Sequence, residues 1–260
     1  MISDAPVSSP RISTFGDDRV LARTLAARLA AQLRDHPRLV LGLPTGRTPI
    51  RLYHELVMLY RRGQVDFSQA TTFNLDEFVG VASDDPGSYR TFMEQHLFSH
   101  VNLSPDRIHF LNGSATDLDA ECRRYEAEIE AAGGIDLQIL GIGTNGHVGF
   151  NEPAKALAAR THYIALKSET RRNNAGLFGG DVDRVPREAL SMGMATIMHA
   201  RSIVLLATGK SKARCIERLV DGPITPKLPA SFLQLHRDVE LMLDAAAATN
   251  LSSRASSRAS

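Results

Sequence analysis

Short, mostly apolar runs alternate with stretches of helical periodicity along nearly the entire chain, and this alternation constrains the fold more than any single motif. Leu39 to Leu43, Ala70 to Leu75, Ile108 to Leu111, Leu137 to Ile142, Tyr163 to Leu166, Ile203 to Ala207 and Val239 to Leu243 read as strands. Most are apolar at successive rather than alternate positions, the pattern of strands buried on both faces. Between them, Val20, Leu21, Leu25, Ala26, Leu29 and Leu33 repeat at helical spacing after Asp17 and Asp18. Further helices are expected over Pro49 to Tyr60, Ser88 to His100, Asp117 to Ala132, Pro186 to about Met198, and Ser211 to Val220. Gly133 and Gly134 stop the helix from Asp117 to Ala132. Strand–helix alternation of this kind implies an α/β, Rossmann-like architecture: an open, mostly parallel sheet with helices on both faces.

At 260 residues the chain is long enough to bury roughly 70% of its unfolded surface. No internal repeat or Pro-rich linker divides it, so residues 1–250 are expected to form a single domain. Residues 251–260 repeat Ser-Ser-Arg-Ala and are expected to be a disordered tail. Thirty basic residues against 29 acidic ones leave a net charge of +1. No broad field therefore draws the chain to nucleic acid or membrane, and an anionic ligand has to be gripped locally. Cys122 and Cys215 fall inside expected helices, as suits a reducing compartment. Met1 to Pro10 has no signal-peptide pattern, and no apolar stretch is long enough to span a bilayer. A cytoplasmic location is expected, for a monomer or a homo-oligomer.

Three loops at strand ends carry the chemistry. Ile139 to Pro153 runs out of an apolar strand into Gly-rich backbone that presents His147 and Glu152, five positions apart. Open α/β sheets bind ligands beyond the carboxyl ends of their strands. A tight turn with a solvated His and Glu fits the same residues. The second loop, Pro44-Thr45-Gly46-Arg47-Thr48-Pro49, joins a strand to a helix; Thr48 is a candidate cap and Pro49 suits the first turn. Unpaired N–H groups and the positive dipole end make such a helix start an anion site, with Gly46 allowing close approach and Arg47 adding charge. A second helix start, Thr208-Gly209-Lys210-Ser211-Lys212, offers two more cations. It is not a nucleotide P-loop, because Val204 stands where the leading glycine belongs. In the third loop, Asn74-Leu75-Asp76-Glu77-Phe78, two acids close an apolar strand at a cost in desolvation. Asp76 is a candidate general base; Glu77 fits equally a cap for the next segment.

Metal and nicotinamide readings fail on spacing. His54-Glu55 is followed by Met58 where a second histidine is needed, and the two cysteines lie far apart in sequence. Gly141, Gly143 and Gly146 mimic a dinucleotide fingerprint, but no acid stands at a strand end about twenty positions on.

In order and in content these loops resemble the glucosamine-6-phosphate deaminases, within the wider family of sugar-phosphate isomerases and 6-phosphogluconolactonases. The matching stretches are Leu41 to Pro49, Phe73 to Gly80 with Ser88-Tyr89, Gly141 to Pro153, Val185-Pro186 with Ala189-Leu190, Gly209 to Ala213, and Leu233 to His236. The resemblance implies a cofactor-free, metal-free conversion of an amino-hexose 6-phosphate to a ketose phosphate and ammonia. It assigns ring opening to His147, oriented by Asn145 and Glu152, and the proton shuttle between C2 and C1 to Asp76. Substrate contacts are implied for Thr45, Gly46, Arg47, Thr48, Glu77, Gly146, Arg171 and Lys212. The bare chemistry supports an imidazole in this role, since an unperturbed one both accepts and donates near neutrality.

The chain also departs from the pattern. Asn145 stands where many relatives carry Asp, and Arg47 replaces a glycine of the phosphate loop. Gly176 replaces an arginine that grips phosphate, which leaves Arg47, Arg171 or Arg172 to compensate. Lys155, His162, Ile164 and Ala165 match poorly the positions that bind an amino-sugar activator in some relatives, so simple saturation kinetics are expected. Galactosamine 6-phosphate is an alternative substrate, and lactone hydrolysis is the alternative reaction. Binding without turnover, as in sugar-phosphate-sensing regulators of similar fold, predicts loss of the catalytic acids; here Asp76, His147 and Glu152 are all present.

Overall fold

The computed structural model describes residues 10–251. Seven strands form one wholly parallel sheet: β1 (Arg11–Phe15), β2 (Val40–Leu43), β3 (Thr71–Asn74), β5 (Ile108–His109), β6 (Leu137–Gly141), β9 (Ser202–Ala207) and β10 (Val239–Asp244). Their order across the sheet is β1-β10-β9-β6-β2-β3-β5. Three more strands, β4 (Asp76–Phe78), β7 (His162–Ala165) and β8 (Glu188–Ser191), form a small antiparallel sheet in the order β4-β8-β7. Leu75 alone separates β3 from β4, so the main sheet runs directly into the small one.

The continuous apolar runs are explained by helices on both faces. Leu41, Leu43, Leu137, Ile139, Val204 and Leu206 pack beneath α1 (Asp18–Asp35), α2 (Ile50–Arg61) and α3 (Tyr89–His96). The alternate residues Val40, Leu140, Ile203 and Leu205 meet α4 (Leu118–Ala131), α6 (Met194–Met198) and α7 (Ala213–Asp221) on the other face. Successive strand residues point to opposite faces, so a sheet covered twice buries apolar side chains on both, with few polar exceptions such as Thr72, Asn74 and Gln138. Chain order reverses between β2 and β6, with β3 and β5 lying to one side and β9, β10 and β1 to the other. The β2–β6 ladder itself is only Leu41↔Leu137 and Gly42↔Gln138. A crevice at the carboxyl ends of these two strands is where such a fold takes a ligand.

Several elements differ from the expectation. The helix expected from Pro186 to Met198 is instead β8 followed by the short α6. Asp76↔Ser191 pairing on one side and His162↔Ser191 on the other hold β8 between two strands, and Gly193 lies so close to the Arg160 carbonyl that a Cβ there would sit 2.2 Å from it. Tertiary pairing thus overrides local helical spacing. β1, whose residues are largely exposed, pairs only with β10 at the sheet edge, and α5 (Ser168–Asn174) is almost wholly polar; neither carries an apolar period to announce it. Thr48 does not cap α2: Pro49 is the cap residue and no side chain bonds the helix start. Of the expected tail only Leu251 lies within the described residues. Among them no helix is long and apolar enough to cross a membrane.

Candidate active site

A cavity of about 730 Å³ opens at the β2–β6 crevice and brings the three loops together. Pro44 to Pro49 line one wall, Gly141 to Thr144 with His147 another, and Asp76 the floor, while Thr208, Ser211 and Lys212 close the side towards β9. Asp76, on the small sheet, and His147, on the loop after β6, line the same space.

Asp76 is the first residue of β4 and is 7% exposed. Its Oδ1 has no hydrogen-bond partner among the described residues. Burial, with the neighbouring Glu77 charge, pushes its carboxyl up to about 8. An acid placed this way is uncharged in the empty site at pH 7 and becomes a strong base once ionised.

His147 sits on a tight loop that its own backbone closes. The Gly143 N–H donates to the His147 carbonyl at 2.9 Å and the Gly146 N–H to Gly143 at 3.0 Å. The imidazole lies flat against Gly143, where a Cβ would stand 2.2–2.5 Å from three ring atoms; only glycine admits the ring. The Asn145 side chain serves two groups, accepting from the His147 N–H at 3.1 Å and donating to Glu152 Oε2 at 3.0 Å. Glu152, buried, also accepts from the Thr170 hydroxyl. The His147 Nδ1 stands 3.9 Å from Glu152 Oε2, beyond hydrogen-bond reach, so Glu152 acts on the ring here through charge rather than through a bond. Desolvation outweighs that charge and lowers the imidazole below its ordinary value, with Lys212 adding to the effect. At neutral pH the ring is therefore neutral, a proton acceptor, rather than evenly poised as its unperturbed titration implied.

The same cavity has a cationic wall. Gly46 turns the β2–α2 loop with φ +95°, a conformation that favours glycine, and the Tyr53 hydroxyl ties the loop down by donating to the Pro44 carbonyl. Arg47 and Lys212 both line the cavity. Desolvation, and then repulsion from Arg47, hold the Lys212 ammonium below its usual range. Two cations held together with no ion-pair partner among the described residues, beside a helix start that no side chain caps, make a receptor for a dianion. Arg51 also reaches this wall but is ion-paired to Asp18.

Three expected contacts lie elsewhere. The Glu77 carboxylate accepts from the N–H groups of Phe78, Tyr89 and Arg90 at 2.9–3.0 Å, capping α3 beneath the site. Its position next to Asp76 on a strand turns it to the opposite face. The Arg171 guanidinium donates to the Val182 and Val185 carbonyls at 2.7 and 3.1 Å and does not line the cavity. Gly146 sits behind the loop, its carbonyl accepting from Ala230 at 2.9 Å. Of the three arginines open to compensate for Gly176, only Arg47 reaches the cavity; Gly176 itself faces open space. Tyr89, Thr170 and Asn174 line the cavity unforeseen, with the Tyr89 hydroxyl donating to Asn174 at 3.0 Å. Ser88-Tyr89 stood among the matching stretches, whereas nothing around Thr170 marked it.

Proton-transfer groups and an anion cradle in one cavity, at the switch point of a parallel sheet, define the class: an α/β enzyme site for a small phosphorylated substrate. Residues 18–242 match the sequence profile of the glucosamine-6-phosphate isomerases/6-phosphogluconolactonase. The chain belongs to this family. It is 47% identical over 229 residues to the glucosamine-6-phosphate deaminase of Thermoanaerobacter sp. (strain X514), covering 88% of this chain and 90% of that one. It is 48% identical to glucosamine-6-phosphate deaminase 2 of Bacillus subtilis (strain 168), with 90% and 94% covered. Among solved structures, a monomeric glucosamine-6-phosphate deaminase superposes with TM-score 0.88 at 42% identity, covering 92% of this chain and 99% of the other. The 6-phosphogluconolactonase of Thermotoga maritima, at 20% identity and TM-score 0.71, over 90% and 99% of the two chains, shares the fold.

Proposed function

We propose that the protein is a glucosamine-6-phosphate deaminase, converting glucosamine 6-phosphate and water to fructose 6-phosphate and ammonia. The observation that carries this reading is the convergence of Asp76, buried and with its Oδ1 unpartnered among the described residues, and a neutral His147 on one cavity that Arg47 and Lys212 also line.

The phosphate rests on the loop from Thr45 to Thr48, with Arg47 and Lys212 over it. His147 takes the proton of the C1 hydroxyl and returns it to the ring oxygen, so that the C1–O5 bond breaks and an open-chain aldehyde forms. Asp76 then removes the C2 proton, giving an enolamine, and delivers a proton to C1. The resulting C2 imine adds water and releases ammonia. A C2 ammonium beside Asp76 favours its carboxylate, so the cationic substrate itself brings the base into its working form. Asn145 and Glu152 hold and polarise the His147 loop. No metal or organic cofactor enters the scheme. A cytoplasmic enzyme fits these substrates and two buried free cysteines.

The test is ammonia release from glucosamine, galactosamine and mannosamine 6-phosphates, with 6-phosphogluconolactone as the control. Fastest turnover on the glucosamine epimer supports the reading. Lactone hydrolysis with no ammonia from any amino sugar overturns it.

A further inference from the structure

Asp244 ends β10, is only 9% exposed, and lies outside the residues that line the cavity. Its carboxylate nonetheless reaches the cationic wall through backbone. Both oxygens accept from the Gly209 N–H, at 3.1 and 2.9 Å, and Oδ1 also accepts from the Ala247 N–H at 2.7 Å. The Gly209 carbonyl in turn accepts from the Lys212 N–H at 3.0 Å. The β9–β10 ladder stops at Leu243↔Ala207, one residue short of Thr208, where the cavity wall begins. Asp244 therefore takes over where strand pairing ends, with charge-assisted bonds in place of ladder bonds. A carboxylate removed from water needs such partners, and here the partner is the turn that carries Lys212.

We infer that Asp244 is a positioning residue for the phosphate anchor: it holds the turn from Gly209 to Lys212 so that the Lys212 ammonium stands in the cavity, and it sets substrate affinity without taking part in proton transfer. The inference rests on the reading of Lys212 as a phosphate contact. A handle on the phosphate binds ground and transition states alike, so losing its placement raises KM and leaves kcat.

Wild type, Asp244→Asn, Lys212→Ala and the double variant are compared in steady-state ammonia release, with inorganic phosphate as competitive inhibitor. Asp244→Asn is expected to raise KM and the phosphate inhibition constant together, about 5- to 10-fold, with kcat within about twofold. In the Lys212→Ala background the same change is expected to add less than about twofold, because the two act through one group. Glu240→Gln, on the same strand but bonded to Ser13 and Arg28, is expected to leave both constants unchanged. A full effect of Asp244→Asn without Lys212, or a fall in kcat at constant KM, overturns the inference. If Lys212→Ala raises KM while Asp244→Asn is silent, the inference alone fails. If Lys212→Ala changes neither constant, the phosphate reading fails and the inference with it. Asp244→Ser, retaining one acceptor, replaces the Asn variant under the same criteria if that variant does not fold.

Discussion

Replacing Asp76 by Asn separates what this carboxyl does for catalysis from what it costs the fold. Its folded-state titration lies at about 8 against an ordinary 3.8. Between those values the folded protein holds a proton that the unfolded chain has released. Stability therefore falls as pH rises through the window and levels off above about pH 8. Each unit is worth about 1.4 kcal/mol, so by pH 7 the carboxyl costs the fold up to about 4 kcal/mol. Asp76→Asn cannot ionise and escapes this. The difference in unfolding free energy between variant and wild type is expected to move in favour of the variant by about 4 kcal/mol from pH 4 to pH 7. Urea titrations at half-unit intervals measure it, provided m is common to both. The same variant is expected to lose turnover while binding substrate within a few-fold. Stability–pH curves that run parallel within about 0.5 kcal/mol refute the argument, since they mean that cavity water solvates Asp76 as well as bulk water does.

Because the base has to be ionised in the free enzyme, kcat/KM is expected to climb as pH rises from 7 to about 8 and then level, with His147 already neutral over this range; a rate that does not rise between pH 7 and 8 argues against Asp76. Gly143→Ala places a methyl where the imidazole lies and is expected to lower kcat at least about 100-fold with an unchanged circular dichroism spectrum; a loss under about threefold removes the ring from the chemistry. Arg47→Ala is expected to raise KM about 10-fold at nearly constant kcat, whereas Arg171→Ala, whose guanidinium is spent on two carbonyls, is expected to leave KM within about twofold. Reversed effects transfer the phosphate contact to Arg171.

What could be read from the sequence was decided by how local each signal is. The seven apolar runs and the helices between them announce themselves within a few residues. Glycines at 46, 143 and 146 likewise mark loops at strand ends. Of the small sheet only β7 announced itself, as the run Tyr163 to Leu166; β4 and β8 did not, because β8 depends on partners distant in sequence, Asp76 to Phe78 on one side and His162 to Ala165 on the other. The same holds within the site. Asp76 and His147 stand out by type and by place. Glu77 and Arg171 were expected at the substrate because composition says nothing about which backbone groups a charge will meet; three N–H groups claim the first and two carbonyls the second. Arg47, by contrast, was identifiable from its place in a strand-to-helix turn.

The single residue between β3 and β4 has a consequence for how such an enzyme diversifies. The cations that would seize the phosphate are rooted in the large sheet. Asp76 and Thr170, the latter bonded to Glu152, ride on the small sheet and on α5, which lies between its strands β7 and β8. Recombining or lengthening that appended layer would retune proton transfer and leave the grip on the substrate's tail as it was, so new reactions on phosphorylated sugars can arise here without a new way of holding them.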